Sequence, residues 1–332
     1  MSTLAVSEIL PPAVPQSGEY YMPPDTESFS EGLWYIIKTA VRAIHPEIAE
    51  ASGVCMALIA IIILVSILKD FSNGSKKTVL LCAVVSVGIL LLGASDSLIN
   101  LATDTVMELS DYGKLLLPIM TAALASQGGP SSSAALYTGS ALFCTVLTSL
   151  ISKIVVPLIY IYLCLAVAYR AIGENALKSI KDFIKWLINW SMKIVLYVFS
   201  GYMTVTKIVT GSVDAAALRA AKITISGMIP VVGKIISDSS ETLLVSAGIV
   251  KNSVGIYGLF AILSVLIGPF IKIGIQYLLF KATAAICDLF DVKQVSGLVS
   301  DFSKAMAMAM GMIGILGMML MISTVCFMKG VL

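Results

Sequence analysis

Long runs without a charged residue dominate the chain, and short clusters of charged residues separate them. These runs are residues 51–68, 78–95, 154–169, 252–271 and 305–328, together with a longer run of 38 residues, 115–152. Crossing a bilayer as an α-helix takes about 20 mainly apolar residues. A further crossing is predicted over residues 186–206, which Lys193 interrupts. The pattern predicts an all-α, polytopic membrane protein with about six to eight membrane helices.

The composition agrees with a chain whose main solvent is lipid. Hydrophobic residues make up 58% of the 332 residues and charged residues only 13%, whereas about 25% of a soluble domain is charged. The mean hydropathy is +0.95. A soluble protein of this size could not bury so much apolar surface, so the composition excludes the soluble class.

The first 50 residues are predicted to form an acidic, proline-containing tail and an interfacial helix. Residues 31–44 have an amphipathic pattern, which predicts a helix that lies in the membrane interface and ends at Pro46. An amphipathic helix packed on the rest of the protein is the alternative. The chain does not start with a basic segment followed by an apolar one, so no secretory signal peptide is predicted.

Residues 51–114 are predicted to form a two-span hairpin and an outer loop. Under the positive-inside rule, Lys69, Lys76 and Lys77 place the connection between the two spans in the cytoplasm. Basic residues from Arg170 onward return the chain to the inside. The outer loop is predicted from a run of acidic residues, Asp96, Asp104, Glu108 and Asp111.

The spacing of the prolines predicts an internal duplication. Pro118 and Pro230 are 112 residues apart, and so are Pro157 and Pro269. Equal spacing of rare residues is a sign of a repeated unit. The predicted units are a first membrane repeat over residues 115–206, a connector over residues 207–226 and a second membrane repeat over residues 227–332.

A short motif supports the duplication weakly. Asp-Phe-x-Lys occurs at Asp182 and again at Asp301, 119 residues later. Membrane transporters are built from parallel or inverted repeats. Lysines near the middle of both predicted copies favour the parallel arrangement.

The longest uncharged run has a polar, helix-breaking stretch in its middle. Only residues 115–126 precede it, about 18 Å of helix, which is too short to span. Lipid cannot satisfy the backbone groups that such a break leaves unpaired. We expect either a broken or re-entrant element beside an aqueous space, or a short surface loop that joins two tilted helices. The stretch is a predicted conduit or partner-contact site, formed by Gly128, Gly129, Pro130, Ser131 and Ser132.

The corresponding part of the second repeat carries more charge. Lys234, Asp238 and Glu241 fall on one helical face within residues 229–251. Lys234 can pair with Asp238 at i,i+4 spacing. This face is predicted to line a hydrophilic route between the repeats. Lying flat at the interface, or contacting a soluble partner, is the alternative.

The last apolar run is predicted to be a packing helix. It holds eight of the 16 methionines, but alternate positions such as Met306 and Met308 point to different sides of a helix, which disfavours a soft-metal site. Small residues at three-residue spacing let a neighbouring helix approach closely. These residues are Gly311, Gly314 and Gly317.

Residues suited to catalysis or cofactor binding are scarce. His45 is the single histidine, which excludes paired-histidine zinc motifs and disfavours a serine–histidine–aspartate arrangement. The sequence has no P-loop, no CxxC pair and no basic patch with interleaved aromatic residues. We therefore expect no enzyme activity, no cofactor, no bound metal and no nucleic-acid partner.

Residues 211–258 resemble the stage III sporulation protein AE family of endospore-forming bacteria. Weaker similarity extends over most of residues 30–325. The similarity is carried by the length of the match more than by any single residue. It is closest at Leu218, Arg219, Ala221, Lys222, Ile229, Pro230, Val231, Gly233 and Asp238.

The resemblance implies a non-enzymatic, multi-pass subunit of the channel complex, or feeding apparatus, that links mother cell and forespore. It implies a place in the mother-cell membrane around the forespore and a role in late endospore development. The implied partners, besides membrane lipid, are the other stage III A-operon sporulation proteins, including a separate ATPase, and indirectly stage II sporulation protein Q. The alternative is an autonomous secondary transporter that binds a small solute at the repeat interface.

Overall fold

The computed structural model describes residues 11–24, 28–71, 76–228, 232–290 and 292–329. At some helical positions, most of them between residues 207 and 247, only the backbone is described. No β-strand occurs among the described residues. The elements are α1 (Gln16–Glu19), α2 (Phe29–Phe71), α3 (Lys76–Ser126), α4 (Pro130–Leu150), a π-helical turn (Ile151–Val155), α5 (Val156–Ile172), α6 (Asn175–Met228), α7 (Val232–Leu289) and α8 (Lys293–Met328).

The long helices run up and down through one bundle. Connections of two to four residues join α2 to α3, α5 to α6 and α7 to α8, and the helices of each pair pack on each other. Such short connections make the paired helices antiparallel, so these three connections lie at the same end. Gly173, with a φ of 85°, forms the α5–α6 turn. We call this the basic end, because Lys77, Arg170, Lys178 and Lys293 lie beside its connections.

Five helical segments of the described chain are long and apolar enough to cross a membrane. The chain is therefore a polytopic helical membrane protein, which confirms the predicted fold class. The expected number of six to eight crossings is not confirmed, because the crossing predicted over residues 186–206 lies on α6, outside the five segments. The segments are Phe29–Leu68, Lys77–Ser126, Pro130–Ile172, Lys251–Leu289 and Lys293–Met328.

Several helices are much longer than a bilayer is thick. α3 has 51 residues and α7 has 58, which is about 77 and 87 Å of helix, against roughly 30 Å of hydrocarbon. The uncharged residues 78–95 adjoin the basic end, whereas the second half of α3 carries exposed Asp104, Asp111 and Lys114. Exposed charges are suited to water and not to lipid. The second half of α3 is therefore suited to a position outside the hydrocarbon.

The helix end predicted after residue 95 is wrong, because α3 continues without interruption to Ser126. The position of the following residues outside the membrane stays a prediction. The acidic residues of α3 occupy one side of an amphipathic helix. Asp104 and Asp111 are exposed, while Val106 and Leu109 on the other side are buried. Charge in this segment marks the outer face of a helix, not the end of one.

Two other predicted helix ends are also wrong. Pro46 lies inside α2 and does not end it. Residues 115–126 are the last part of α3, so they do not form a separate half-helix. A proline removes one backbone hydrogen bond and bends a helix. Helix α7 contacts α2 on both sides of Pro46, through Phe260 against Gly32 and through the Lys272–Glu47 ion pair at 3.4 Å.

The central helix is α8. It packs against α3, α4, α5, α6 and α7 and is buried on most sides. A helix that is apolar all round is suited to this position. Flexible methionine side chains fill irregular spaces in its surroundings, and Met306, Met308, Met312 and Met319 are buried.

The duplication of residues 115–206 in residues 227–332 stays a prediction. Pro157 lies in the first turn of α5, directly after the π-helical turn, and Pro269 lies inside α7. The two Asp-Phe-x-Lys motifs have different surroundings, because Asp182 is exposed and Asp301 is fully buried.

A buried carboxylate joins three helices near the basic end. Asp301 of α8 accepts hydrogen bonds from Lys181 of α6 at 2.7 Å, from Lys304 at 2.8 Å and from Arg170 of α5 at 3.2 Å. The ring of Tyr169 lies 5.0 Å from the Lys181 Nζ and 5.1 Å from the Arg170 Cζ. A charge left without its partner at such a site has a large desolvation cost. This group, which we call the Asp301 cluster, therefore holds α5, α6 and α8 in one arrangement.

Asp301→Asn is expected to lower the free energy of unfolding by about 3 kcal/mol, because Lys181 stays buried without a counter-charge. The loss is at the lower end of the range for buried ion pairs, since Arg170 and Lys304 can turn toward water. Thermal unfolding of the purified protein in detergent micelles measures it. The matched control is Asp182→Asn, which changes the same motif at an exposed position and should leave the midpoint unchanged. Equal midpoints for wild type and Asp301→Asn would contradict this account.

Candidate functional site

The glycine–proline stretch over residues 128–132 forms the turn between α3 and α4. Gly128 has a φ of 86°, a left-handed conformation that glycine adopts without strain. Its N–H donates to the Ala125 carbonyl at 3.0 Å, and the Gly129 N–H donates to the Leu124 carbonyl at 3.3 Å. These bonds satisfy carbonyls at the end of α3, as glycine C-caps do.

The start of α4 is capped from another helix. Pro130 at its first position has no N–H, and Gly129 before it has no side chain to accept a bond. The Asp214 carboxylate of α6 accepts instead from the backbone N–H of Ser131 at 3.2 Å and of Ser132 at 2.8 Å. The next N–H donates to the Gly129 carbonyl at 2.9 Å. Each N–H in the first turn of α4 thus has an acceptor.

The electrostatics of this cap favour the charged carboxylate. Asp214 is 2% exposed and lies at the positive end of the α4 dipole. Burial raises the pKa of Asp214, but hydrogen bonds from Ser132 and Ser131 outweigh burial and hold the pKa below its ordinary value. Charge-assisted hydrogen bonds are about twice as strong as neutral ones. The cap is therefore an electrostatic link between α4 and α6 at neutral pH.

Helices α6 and α7 hold the turn from two sides. The Tyr202 hydroxyl of α6 donates to the Ala135 carbonyl of α4 at 3.0 Å. Gly139 lies directly against the Tyr202 ring, where a larger residue would overlap it. On the other side, the Gln127 side chain lies against Gly248 of α7. The turn is thus part of the packed bundle.

One edge of the turn remains open to the surroundings. Pro130 and Ser131 are exposed, whereas Ser132 and Ser133 are each 3% exposed. We call Pro130 and Ser131 the break edge. The backbone N–H of Ser131 already has an acceptor inside the bundle, and the exposed surface of the two residues is open to contact with another molecule.

The other predicted site residues do not gather at this turn. The side chains of Lys234, Asp238 and Glu241, which belong to α7, lie outside the described residues. Gly317 and Gly314 of α8 face Leu266 and Phe270 of α7, and Gly311 faces Met192 of α6. Within the described part of the chain, no group of three His, Cys, Asp or Glu side chains could hold a metal ion.

A comparison with protein families assigns the chain. The family described as Stage III sporulation protein AE matches residues 22–330. The chain belongs to the Stage III sporulation protein AE family. It is 24% identical over 302 residues to the Stage III sporulation protein AE of Bacillus subtilis (strain 168), which covers 90% of this chain and 75% of that protein. No solved structure matches the chain.

Membership of the Stage III sporulation protein AE family makes this a membrane protein of sporulation. The family description names a stage of sporulation and no reaction. The residues that carried the resemblance, 211–258, include both Asp214 and Gly248, which touch the α3–α4 turn. The stretch closest to the family is therefore also the stretch that packs on the predicted site.

Asp214 is the residue that sequence reasoning missed. Its signal was an isolated acid in a helix of small residues, together with a helix start, Gly129-Pro130, that has no cap of its own. Each feature alone is common. Only the packing of α4 on α6 brings them together.

Asp214→Ala is expected to lower the free energy of unfolding by about 2 kcal/mol, and Asp214→Asn by about 1 kcal/mol, because the N–H groups of Ser131 and Ser132 lose a charged acceptor. Thermal or denaturant unfolding in detergent micelles measures both. Asp104→Asn, at an exposed position on α3, is the control and should have little effect. A loss at position 104 as large as that at position 214 would mean that the cap is not the cause.

The hydrogen bonds to Asp214 should make the free energy of unfolding depend on pH. Because folding lowers the pKa of Asp214, its stabilising effect is complete above the ordinary carboxyl pKa of about 4 and is lost as the pH falls through the lower folded value. The difference in unfolding free energy between wild type and Asp214→Asn should be constant from neutral pH to about pH 5 and shrink below that. A difference that persists unchanged into strong acid would argue against a charged cap.

Proposed function

We propose that this protein is a non-enzymatic integral membrane subunit of the channel complex between mother cell and forespore. We propose further that it resides in the mother-cell membrane around the forespore and is required for late endospore development. Membership of the Stage III sporulation protein AE family is the observation that carries the proposal.

The length of the bundle supports a role in an assembly. Helices α3 and α7 continue well past the thickness of a bilayer. The second half of α3 carries exposed charges, among them the Asp111–Lys114 pair at 2.8 Å. This projecting part gives the protein a water-facing surface on which other subunits can dock.

The proposed partners are the other stage III A-operon proteins, including a separate ATPase, and indirectly stage II sporulation protein Q. The break edge, Pro130 and Ser131, is the proposed contact on the projecting end. Its support is geometric, since α6 and α7 pack on this turn and Asp214 accepts hydrogen bonds from its backbone. A rigid, exposed turn can be recognised with little loss of conformational entropy.

The charged residues of the bundle favour this role over autonomous solute transport. In transporters, binding sites lie near the middle of the membrane between broken helices. The Asp301 cluster begins eight residues after the start of α8, about 12 Å along the helix and so close to the basic end. Its position is that of a structural ion group near the membrane surface.

An in-frame deletion in an endospore-forming host is the direct test. We expect forespores to form and then to collapse, with loss of late forespore gene expression. Microscopy and a late forespore reporter measure both. Re-expression of the wild-type chain should restore spores, and normal spore yield in the deletion strain would remove the proposed function.

Cysteine labelling tests the break edge as a contact. In a chain without its six native cysteines, Ser131→Cys should react with a membrane-impermeant maleimide when the protein is alone and react several-fold more slowly in the assembled complex. Asp111→Cys, exposed on the same projecting part, should react equally in both states. Ser132→Cys should react slowly in both, because that position is buried. Equal labelling of Ser131→Cys in both states would place the contact elsewhere.

A further inference from the structure

The Asp301 cluster contains more positive charge than its carboxylate neutralises. Arg170, Lys181 and Lys304 surround one aspartate, which leaves an excess of two positive charges. In the described ranges, Asp301 is the acidic partner recorded for all three cations. Glu174, in the nearby α5–α6 turn, is exposed. An excess of charge at the edge of a low-dielectric region favours binding of a further anion.

The excess positive charge of the cluster lies on its exposed side. The side chains of Asp301 and Lys181 are 0% and 4% exposed, whereas those of Arg170 and Lys304 are 24% and 41% exposed. The Asp301 carboxylate is therefore at the bottom of the cluster, and of the four ion-paired groups Arg170 and Lys304 are the two that reach the surface. The exposed Asp182 follows Lys181 on α6. An anion that approaches from outside meets a guanidinium and an ammonium group, with Asp301 behind them.

Both outer cations have hydrogen-bond donors to spare. A guanidinium has five N–H donors and an ammonium has three. Arg170 uses its Nε and one terminal nitrogen on Asp301, and Lys304 donates to the other carboxylate oxygen. Gly297 of α8 lies directly against the guanidinium, where a Cβ would overlap it, and so lets Arg170 approach the helix closely. The donors are thus held in position before any ligand binds.

An exposed aromatic ladder marks the membrane level of the cluster. Phe183, Trp186 and Trp190 of α6 are 58%, 53% and 49% exposed, and consecutive rings stack with centroids 5.9 and 5.4 Å apart. Trp186 follows Lys181 by five residues, about 7.5 Å along the helix. Tryptophan beside lysine is typical of the headgroup region of a bilayer. The ladder therefore favours a position of the cluster in the headgroup region of the bilayer.

We propose that Arg170 and Lys304, oriented by Asp301, bind the phosphate of an anionic phospholipid headgroup at the basic end of the bundle. Planar guanidinium groups bind phosphate oxygens through paired hydrogen bonds, and ammonium groups add a point charge. Free phosphate has the same oxyanion chemistry, but the aromatic ladder favours the lipid as its source. The site is a property of the isolated protein and does not depend on the proposed channel role.

The test uses the full chain in detergent micelles, titrated with short-chain phosphatidylglycerol or phosphatidylcholine and followed by native mass spectrometry. Wild type should retain phosphatidylglycerol in preference to phosphatidylcholine. Lys304→Gln should weaken phosphatidylglycerol binding about tenfold, because it removes a charge-assisted hydrogen bond. It leaves Arg170 and Lys181 on Asp301, so the fold is preserved. Lys193→Gln, an exposed lysine further along α6, is the matched control and should bind as wild type does.

A second variant displaces one of the two binding groups without changing the charge of the site. Gly297→Ala should displace the Arg170 guanidinium, a flexible side-chain end, and weaken phosphatidylglycerol binding while the thermal midpoint changes little. Equal binding by wild type, Lys304→Gln and Gly297→Ala, or no preference between the two lipids, overturns the proposal.

Two further results would reassign the anion. If inorganic phosphate raises the thermal midpoint of wild type but not of Lys304→Gln, and no lipid preference is found, the ligand is a soluble anion and the lipid source is wrong. If Lys304 is protected from amine labelling only when the other sporulation proteins are present, an acidic protein segment occupies the site and the lipid source is again wrong.

Discussion

A single buried carboxylate determines how one end of this protein is put together. Asp301 has no contact with solvent, so it has to be surrounded by charge of the opposite sign, and its partners come from α5, α6 and α8. The α5–α6 turn is only two residues long, which leaves little freedom in where Arg170 and Lys181 can lie. Apolar packing among these helices is adaptable, because methionine-rich surfaces tolerate small shifts. The ionic contact is not adaptable, since its strength depends on the distances between the charged nitrogen and oxygen atoms.

At the opposite end of the bundle, a carboxylate caps a helix instead of joining three helices. A chain that reverses direction between two long helices leaves backbone groups without a partner inside either helix, and those buried in the bundle need an acceptor or donor there. Glycine in a left-handed conformation allows backbone hydrogen bonds to the last carbonyls of α3, and Asp214 accepts hydrogen bonds from the first N–H groups of α4. A carboxylate from a distant helix thus replaces the local cap that most helices carry. Because the acceptor belongs to α6, this cap is complete only when α4 and α6 pack together.

The sequence predicts the class of this fold well and its local ends poorly. Runs without charge identify membrane helices because hydrocarbon excludes charge whatever the tertiary packing. Helix ends at Pro46 and after residue 95 were wrong because those signals are local, and contacts with α3, α7 and α8 override them. Asp182 and Asp301 begin the same motif, yet one is exposed and the other buried. Which of them pairs with Lys181 depends on the packing of α8, and no local pattern contains that information.

The π-helical turn Ile151–Val155 has an effect far from where it occurs. One added residue rotates every later side chain by about 100° relative to a regular helix. Both α4 and α5 pack against α3, α6 and α8. The direction of Arg170, fifteen residues beyond the turn, therefore depends on this phase change. A local irregularity of the backbone thereby sets which side chains of α5 face the same three helices that α4 contacts.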